Sequence, residues 1–253
     1  MNNTILKGIT ILKLISNSRK TLTSTEISKL TSIPKTTTFN IIGSLIKESI
    51  LEIDNPQLKT YKLGLSSYEI GIKYINNLDL YKTALPFLKE LSLLTNQTAF
   101  LVKKEKEDII YIAKVEPEIS IRTTITLGTR IPSYSSSLGK AILSSYPKEK
   151  LIRYLQEITL TKKTENTIID KEKLLESLIE DKKNGYSISN GENEENLFCI
   201  GAPIFDFSNK VIGAISISTI INNITDEVIE KNSQIIVKIS QQLSKTLGYN
   251  NNL

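Results

Sequence analysis

Lys35, Thr36, Thr37 and Asn40 stand within six residues of one another, directly behind Pro34. They open a stretch in which Ile41, Ile42, Leu45 and Ile46 recur at helical spacing. Proline suits the first helical position, because the N–H it lacks would be unpaired there. Short hydroxyls at a helix start suit phosphate oxygens. Asparagine can pair with adenine in a major groove, and lysine can contact guanine or phosphate. A second group, Ser135-Ser136-Ser137-Leu138-Gly139-Lys140, turns a serine-rich segment into a helix, whose first N–H groups make a ready anion site. Ser216 and Ser218, two apart in a strand-like run, point to one face, so both hydroxyls can reach one ligand.

Catalytic chemistry is poorly supplied. The chain contains no histidine and one cysteine, Cys199. That removes Ser-His-Asp and Cys-His nucleophile systems, any intrachain disulfide and any plausible structural zinc site. Lys140 beside Ser136 or Ser137 is the sole nucleophile pair to nominate. A phosphate loop around Gly139-Lys140 fails, because Tyr134 and Ala141 occupy positions that need glycine and a hydroxyl residue. Glu192 and Glu194 read as a solvated loop or interface rather than a catalytic pair. The expectation is a protein that is not an enzyme, with no cofactor and no metal. Apolar runs fall short of the roughly 20 residues of a membrane span, and no leader pattern is visible. No membrane partner is expected, and a cytoplasmic location is.

These groups need elements to hold them. Residues 4–17 carry a helical stripe of Ile5, Ile9, Leu12 and Ile15. A helix over 24–31 follows, with Ser24 or Thr25 as N-cap and Ile27 and Leu30 facing inward. Ser32-Ile33-Pro34 is the turn into a helix ending near Ser49. Residues 50–63 read as two strands about Asp54-Asn55-Pro56. Three helices and a β-hairpin make a winged helix-turn-helix, whose second helix can enter a major groove. Residues 1–63 hold nine Lys or Arg against four acids, an excess equal to the whole chain's formal +5. A basic module beside a neutral one fits phosphate binding by the first. Residues 66–79 predict a connecting helix, with Tyr68, Ile72 and Ile75 as a dimer seam or a domain contact. Beyond 82, helices and strand-like runs alternate. Strands are expected at 98–103, 109–115, 119–126, 186–190, 197–205 and 210–218, with helices at 82–95, 136–145, 148–157, 170–183 and after Thr225. The class is α+β, an antiparallel sheet covered by helices.

With those residues in view, the chain resembles the IclR-type bacterial transcriptional regulators. The resemblance rests on LTSTEISKLTSIPKTT and YKLG in the first part, and on LGTRIPSYSSSLGKAIL, NGYSISNGENEENLFCIGAPIFD and VIGAISIS in the second, in the family's order. It implies a winged helix-turn-helix over 1–64, a linker helix over 65–81 and a GAF-like effector-binding domain over 82–253. It also implies a dimer or tetramer on a partly palindromic operator in double-stranded DNA, more often as a repressor, and a small carboxylate or aromatic acid as effector. DNA contacts would fall to Lys35, Thr36, Thr37 and Asn40, with Lys59 and Lys62 on the wing. The family's pocket, carried over by matched motif, falls on Thr123, Ile131, Ser137, Leu138, Ser189, Cys199, Ser216 and Ser218. Arginine is usual where Asn40 stands, aspartate where Ser189 stands, and glycine or alanine where Ser137 stands. A smaller, more neutral pocket is therefore expected, and a regulator whose pocket has closed is the alternative reading.

Overall fold

The structure, a computed structural model, describes residues 3–76, 79–118, 125–221 and 224–250. The chain divides into two compact units, residues 1–77 and 78–253.

The first unit runs α1 (Asn3–Asn17), β1 (Leu22–Thr23), α2 (Ser24–Thr31), α3 (Lys35–Lys47), β2 (Leu51–Asn55), β3 (Thr60–Leu63) and α4 (Leu65–Asn76). Ile11, Ile15, Ile27, Ile33, Ile41, Ile42 and Leu51 close its core. The N-cap of α2 is Thr23, not Ser24 or Thr25. Its hydroxyl accepts from the Glu26 N–H while the Glu26 carboxylate accepts from the Thr23 N–H, a reciprocal capping box. Leu30 faces solvent rather than the core, as do Ile5 and Ile9 of the α1 stripe, while Leu12 and Ile15 of that stripe pack inward together with Ile11. Antiparallel β1, β3 and β2 form the small sheet. Asn55 Oδ1 accepts from the Gln57 and Leu58 N–H groups at 2.9 and 3.0 Å, which folds the β2–β3 turn.

The second unit holds α5 (Asp79–Thr95), β4 (Thr98–Glu105), β5 (Asp108–Val115), β6 (Arg130–Pro132), α6 (Ser137–Ser144), α7 (Lys148–Glu157), α8 (Lys171–Asn184), β7 (Ser187–Asn190), β8 (Leu197–Phe205), β9 (Val211–Ile220) and α9 (Asp226–Thr246). Its antiparallel sheet has the order β6-β5-β4-β9-β8-β7. Strand alternation places Phe100 and Val102 of β4 in the core beneath α6, α7 and α8. Ala99 and Leu101 face the opposite side, and α5 and α9 pack on the sheet as well as on each other. Asp170 caps α8 through the Lys173 N–H, and Gly185 closes it in the left-handed conformation. Thr225 caps α9 through the Val228 N–H. The strand expected over 119–126 falls largely on residues 119–124, outside the described residues, and Ile125 and Thr126 are not strand. The third strand of that region is the short β6. Ser189 lies on β7, within the strand expected over 186–190, and pairs with Cys199.

Candidate functional site

In the first unit, α2, the turn and α3 are locked by one carbonyl. Ile33 O accepts from Ser28 Oγ at 2.6 Å and Thr38 Oγ1 at 3.3 Å, while Ser32 takes a left-handed φ of 56°. This fixes how α3 presents its outer face. Ile41 and Ile42 are buried, and Lys35, Thr36 and Asn40 are exposed together on the far side. Thr37 is half-buried, and Thr38 is fully buried against Ile33. Lys59 sits at the wing turn with φ 51°. Lys62 lies 3.4 Å from Glu52 and 3.6 Å from Asp54, and the pair with Glu52 raises its pKa. The wing thus spends one of its two cations on its own carboxylates.

In the second unit, strand register assembles a cleft. Ser189, Cys199 and Ser218 stand opposite one another across β7, β8 and β9, and one pleat further Gly201, Ser216 and Phe100 do so across β8, β9 and β4. Tyr111 meets Phe100 edge-on at 5.5 Å. The start of α6 covers this face: Ser136 caps it, accepting from the Gly139 N–H at 3.1 Å. That cover depends on two glycines. A Cβ on Gly201 would meet the Ser137 backbone at 2.7 Å, and one on Gly139 would meet the Ser133 backbone at 2.0 Å. The resulting cleft is lined by Ser137, Leu138, Ser189, Cys199, Ser216 and Ser218, six of the positions the sequence singles out. Thr123 lies outside the described residues, and Ile131 packs in the core opposite Ile109 rather than on the lining. The lining also takes in Phe100, Tyr111 and Glu194, among others that the sequence does not single out for the pocket, and Ser136, which the sequence places in the anion-binding turn beside Ser137. The free volume of the cleft is about 20 Å³. By the usual requirement this admits a water or two and no organic acid.

Burial and the Glu194 charge push the Cys199 thiol up to about 11, while its Sγ donates to Ser218 Oγ at 3.3 Å. A neutral thiol is a poor nucleophile. Lys140 is no base for Ser136 or Ser137 either. Its ammonium, almost wholly buried, lies 2.5 Å from Glu192. Glu192 is therefore a buried ion-pair partner, not a solvated loop residue. Burial pushes its carboxyl up and Lys140 pulls it back. Among the described residues no cluster of three or more His, Cys, Asp or Glu could hold a metal ion, and no helix is long and apolar enough to cross a membrane. A second, larger groove beside α8 and α9 is lined by Asp181, Ser240, Ser244 and Tyr249, and both serines are already engaged with the Pro203 and Ser240 carbonyls.

A basic helix-turn-helix unit joined to an antiparallel-sheet unit defines a DNA-binding regulator built of two units. The family model described as "IclR helix-turn-helix domain" matches residues 4–54, and "Bacterial transcriptional regulator IclR C-terminal" matches 72–245. The chain belongs to the IclR family of transcriptional regulators. It is 30% identical to HTH-type transcriptional regulator KipR of Bacillus subtilis over 98% of each chain. Among solved structures, the Thermotoga maritima IclR is 29% identical with a TM-score of 0.79, covering 98% of this chain and 100% of that one. An IclR homolog of Microbacterium hydrocarbonoxydans, complexed with 4-hydroxybenzoate, shares the fold at 20% identity and a TM-score of 0.79, covering 96% of this chain and 100% of that one. Its relatives are named regulators rather than enzymes.

Proposed function

We propose that this DNA-binding regulator is a ligand-responsive repressor that occupies a partly palindromic operator as a dimer or tetramer and senses a small carboxylate or an aromatic acid in the cytoplasm. In this reading residues 1–64 bind DNA, 65–81 link, and 82–253 hold the effector. Lys35, Thr36, Thr37 and Asn40 read or position the duplex, and Lys59 and Lys62 touch its backbone. The observation that carries the reading is the cleft: hydroxyls of Ser189, Ser216 and Ser218 converge with the opening amides of α6 in a unit distinct from the basic one. The first amides of a helix favour an anion, and Phe100 and Tyr111 offer an apolar wall for an aromatic ring. Ile131 packs behind that wall with Phe100 and Tyr111, and Thr123 is kept as a further candidate contact from the sequence alone. A fold neighbour that holds 4-hydroxybenzoate supports the ligand class. Repression is the simplest action, since operator occupancy alone suffices for it. The effector would bind one arrangement of the chain more tightly than another, so effector and operator must alter each other's affinity by one common factor, typically 5–150-fold.

One observation favours a second reading. The small free space of the cleft fits a regulator that binds DNA with no effector at all. The test is binding of the purified protein to its own upstream DNA across a salt series, with and without pyruvate, glyoxylate and 4-hydroxybenzoate. Sequence-preferring binding that one acid changes supports the first reading. Binding indifferent to every acid supports the second, and no salt-sensitive, sequence-preferring binding removes both.

A further inference from the structure

On the outer face of α3, Phe39 is 62% exposed. It lies between Lys35 and Thr36 one turn before and Gly43 one turn after, with Asn40 beside it, and all four of those positions are exposed too. A large aromatic ring left in water at the centre of a polar helix face gains nothing from the fold of its own unit. Gly43 is equally unexplained by packing. A Cβ added there meets nothing within 4 Å, and glycine is a poor choice for a helix interior. Together they make a patch with one protruding ring and one stretch of bare backbone, flanked by groups suited to phosphates and base edges. Among base-pair edges in the major groove, the apolar feature is the C5-methyl group of thymine, and phenylalanine is one of the side chains that meets it.

We infer that Phe39 is a specificity-determining residue: its ring packs on a thymine methyl in each operator half-site, and Gly43 lets the helix approach closely enough for that contact. This rests on the DNA-binding reading of α3 and adds a base preference to it, thymine at a fixed position, where Asn40, Lys35 and the threonines supply polar contacts.

The experiment first selects preferred duplexes from a random library with the wild-type full chain. Each thymine of the selected half-site is then replaced singly by deoxyuridine, which removes the methyl and leaves the Watson–Crick pair intact. Wild-type protein should lose about 4-fold in affinity, or ~0.8 kcal/mol at 1.4 kcal/mol per tenfold, at one or two thymine positions per half-site. Phe39→Ala should bind thymine and deoxyuridine duplexes alike, and Phe39→Leu should keep part of the discrimination. Because Phe39 is exposed, both variants should unfold at the wild-type temperature. Wild-type binding indifferent to deoxyuridine at every position overturns the inference while leaving DNA binding by α3 intact. So does a Phe39→Ala protein that still discriminates as wild type does, since another residue then reads the methyl. Failure to select any preferred duplex removes the DNA-reading premise itself, and the inference with it.

Discussion

Replacing Lys140 tests the energetics that hold the cleft in place. Lys140 sits in α6, every residue of which is buried, and pairs with Glu192 at 2.5 Å. Asp181 of α8 is close enough for both charges to act on it. Its carboxyl is raised from 3.8 to about 6 by burial, with Ser187 and Lys140 pulling it back and Glu192 pushing it further. One buried cation thus serves two carboxyls, and neither Glu192 Oε2 nor Asp181 Oδ2 has a hydrogen-bond partner among the described residues. Lys140→Met leaves the buried Glu192 and the half-buried Asp181 without their shared cation. Breaking a buried pair from one side costs about 3–5 kcal/mol. Glu192→Gln removes one acid, and Asp181 remains to balance Lys140, so it should cost less, roughly 1–3 kcal/mol.

The pH dependence separates these cases. A carboxyl whose folded pKa lies above its unfolded value binds more protons in the fold, so stability falls as pH rises through the folded value. In the wild type Asp181 contributes such a loss between pH 3.8 and about 6. The gap alone corresponds to ~3 kcal/mol, reduced to ~1–2 because the group is partly exposed. Lys140→Met should widen that window upward, with little penalty at pH 5 and the full penalty by pH 8. Asp181→Asn should flatten the profile and leave the protein as stable as wild type or more so at pH 8. Urea unfolding of the full chain at pH 5, 6, 7 and 8 reads all of this. A Lys140→Met protein that loses less than about 1 kcal/mol at pH 8, or one whose loss is the same at pH 5, would refute the account.

Three further outcomes follow from particular contacts. Gly201→Ala drives a Cβ to within 2.7 Å of the Ser137 backbone, so thermal unfolding should report a loss of about 1–3 kcal/mol, whereas Gly71→Ala, with nothing within 4 Å, should be neutral or stabilising. With its thiol pushed up to about 11, Cys199 should react with iodoacetamide at pH 7.5 more than about 100-fold slower in the native protein than in the urea-unfolded chain. Lys35→Ala should weaken binding to selected and unrelated duplexes by a similar factor and reduce the slope of log affinity against log salt by about 1; a change confined to one sequence would make Lys35 a base reader instead.

Much of the fold is legible in the chain because the punctuation is local. Asp170 and Gly185 bracket α8 and Thr225 opens α9, each through hydrogen bonds within a few residues, while Pro34 stands at the N-cap of α3, one place before the first helical position, with no side-chain cap and a φ of −53°. The N-cap of α2 was readable too: of Thr23, Ser24 and Thr25, only Thr23 has a glutamate three residues on to complete a capping box. Leu30 is a different kind of miss. Its spacing from Ile27 is right for a buried stripe, yet α2 is so short that one face position, Ile27, suffices for its contact with the core. The ion pair joins residues 52 apart, a separation about which periodicity says nothing. A trace of it was still present, since Lys140 stands inside the otherwise apolar run LGKAIL and a lysine there needs a partner. The lining residues Phe100 and Tyr111 are typical strand hydrophobics, and register alone brings them to the cleft.

The same contacts decide which wall of the cleft can yield to a ligand. α6 is fixed on the sheet at Gly201, on the preceding turn at Gly139, and through Lys140 to Glu192. The chain beyond β7 is pinned at its start, where Thr164 Oγ1 donates to Gly191 O at 2.6 Å and Thr167 Oγ1 to Glu192 O at 2.7 Å. It is pinned again where Leu197 enters β8. Between those points Glu195 and Asn196 are exposed, while Asn193 and Glu194 reach the cleft. Any enlargement of the free space should therefore come from residues 193–196 and not from α6. Native-state hydrogen exchange tests this, because amides of local openings exchange without global unfolding. Residues 193–196 should exchange at least about 100-fold faster than Ala141–Ser144, and an acid that enters the cleft should slow the former and leave the latter unchanged. Equal protection of the two segments would mean that α6 itself is the moving wall, and that the glycine and lysine contacts do not hold it as the geometry requires.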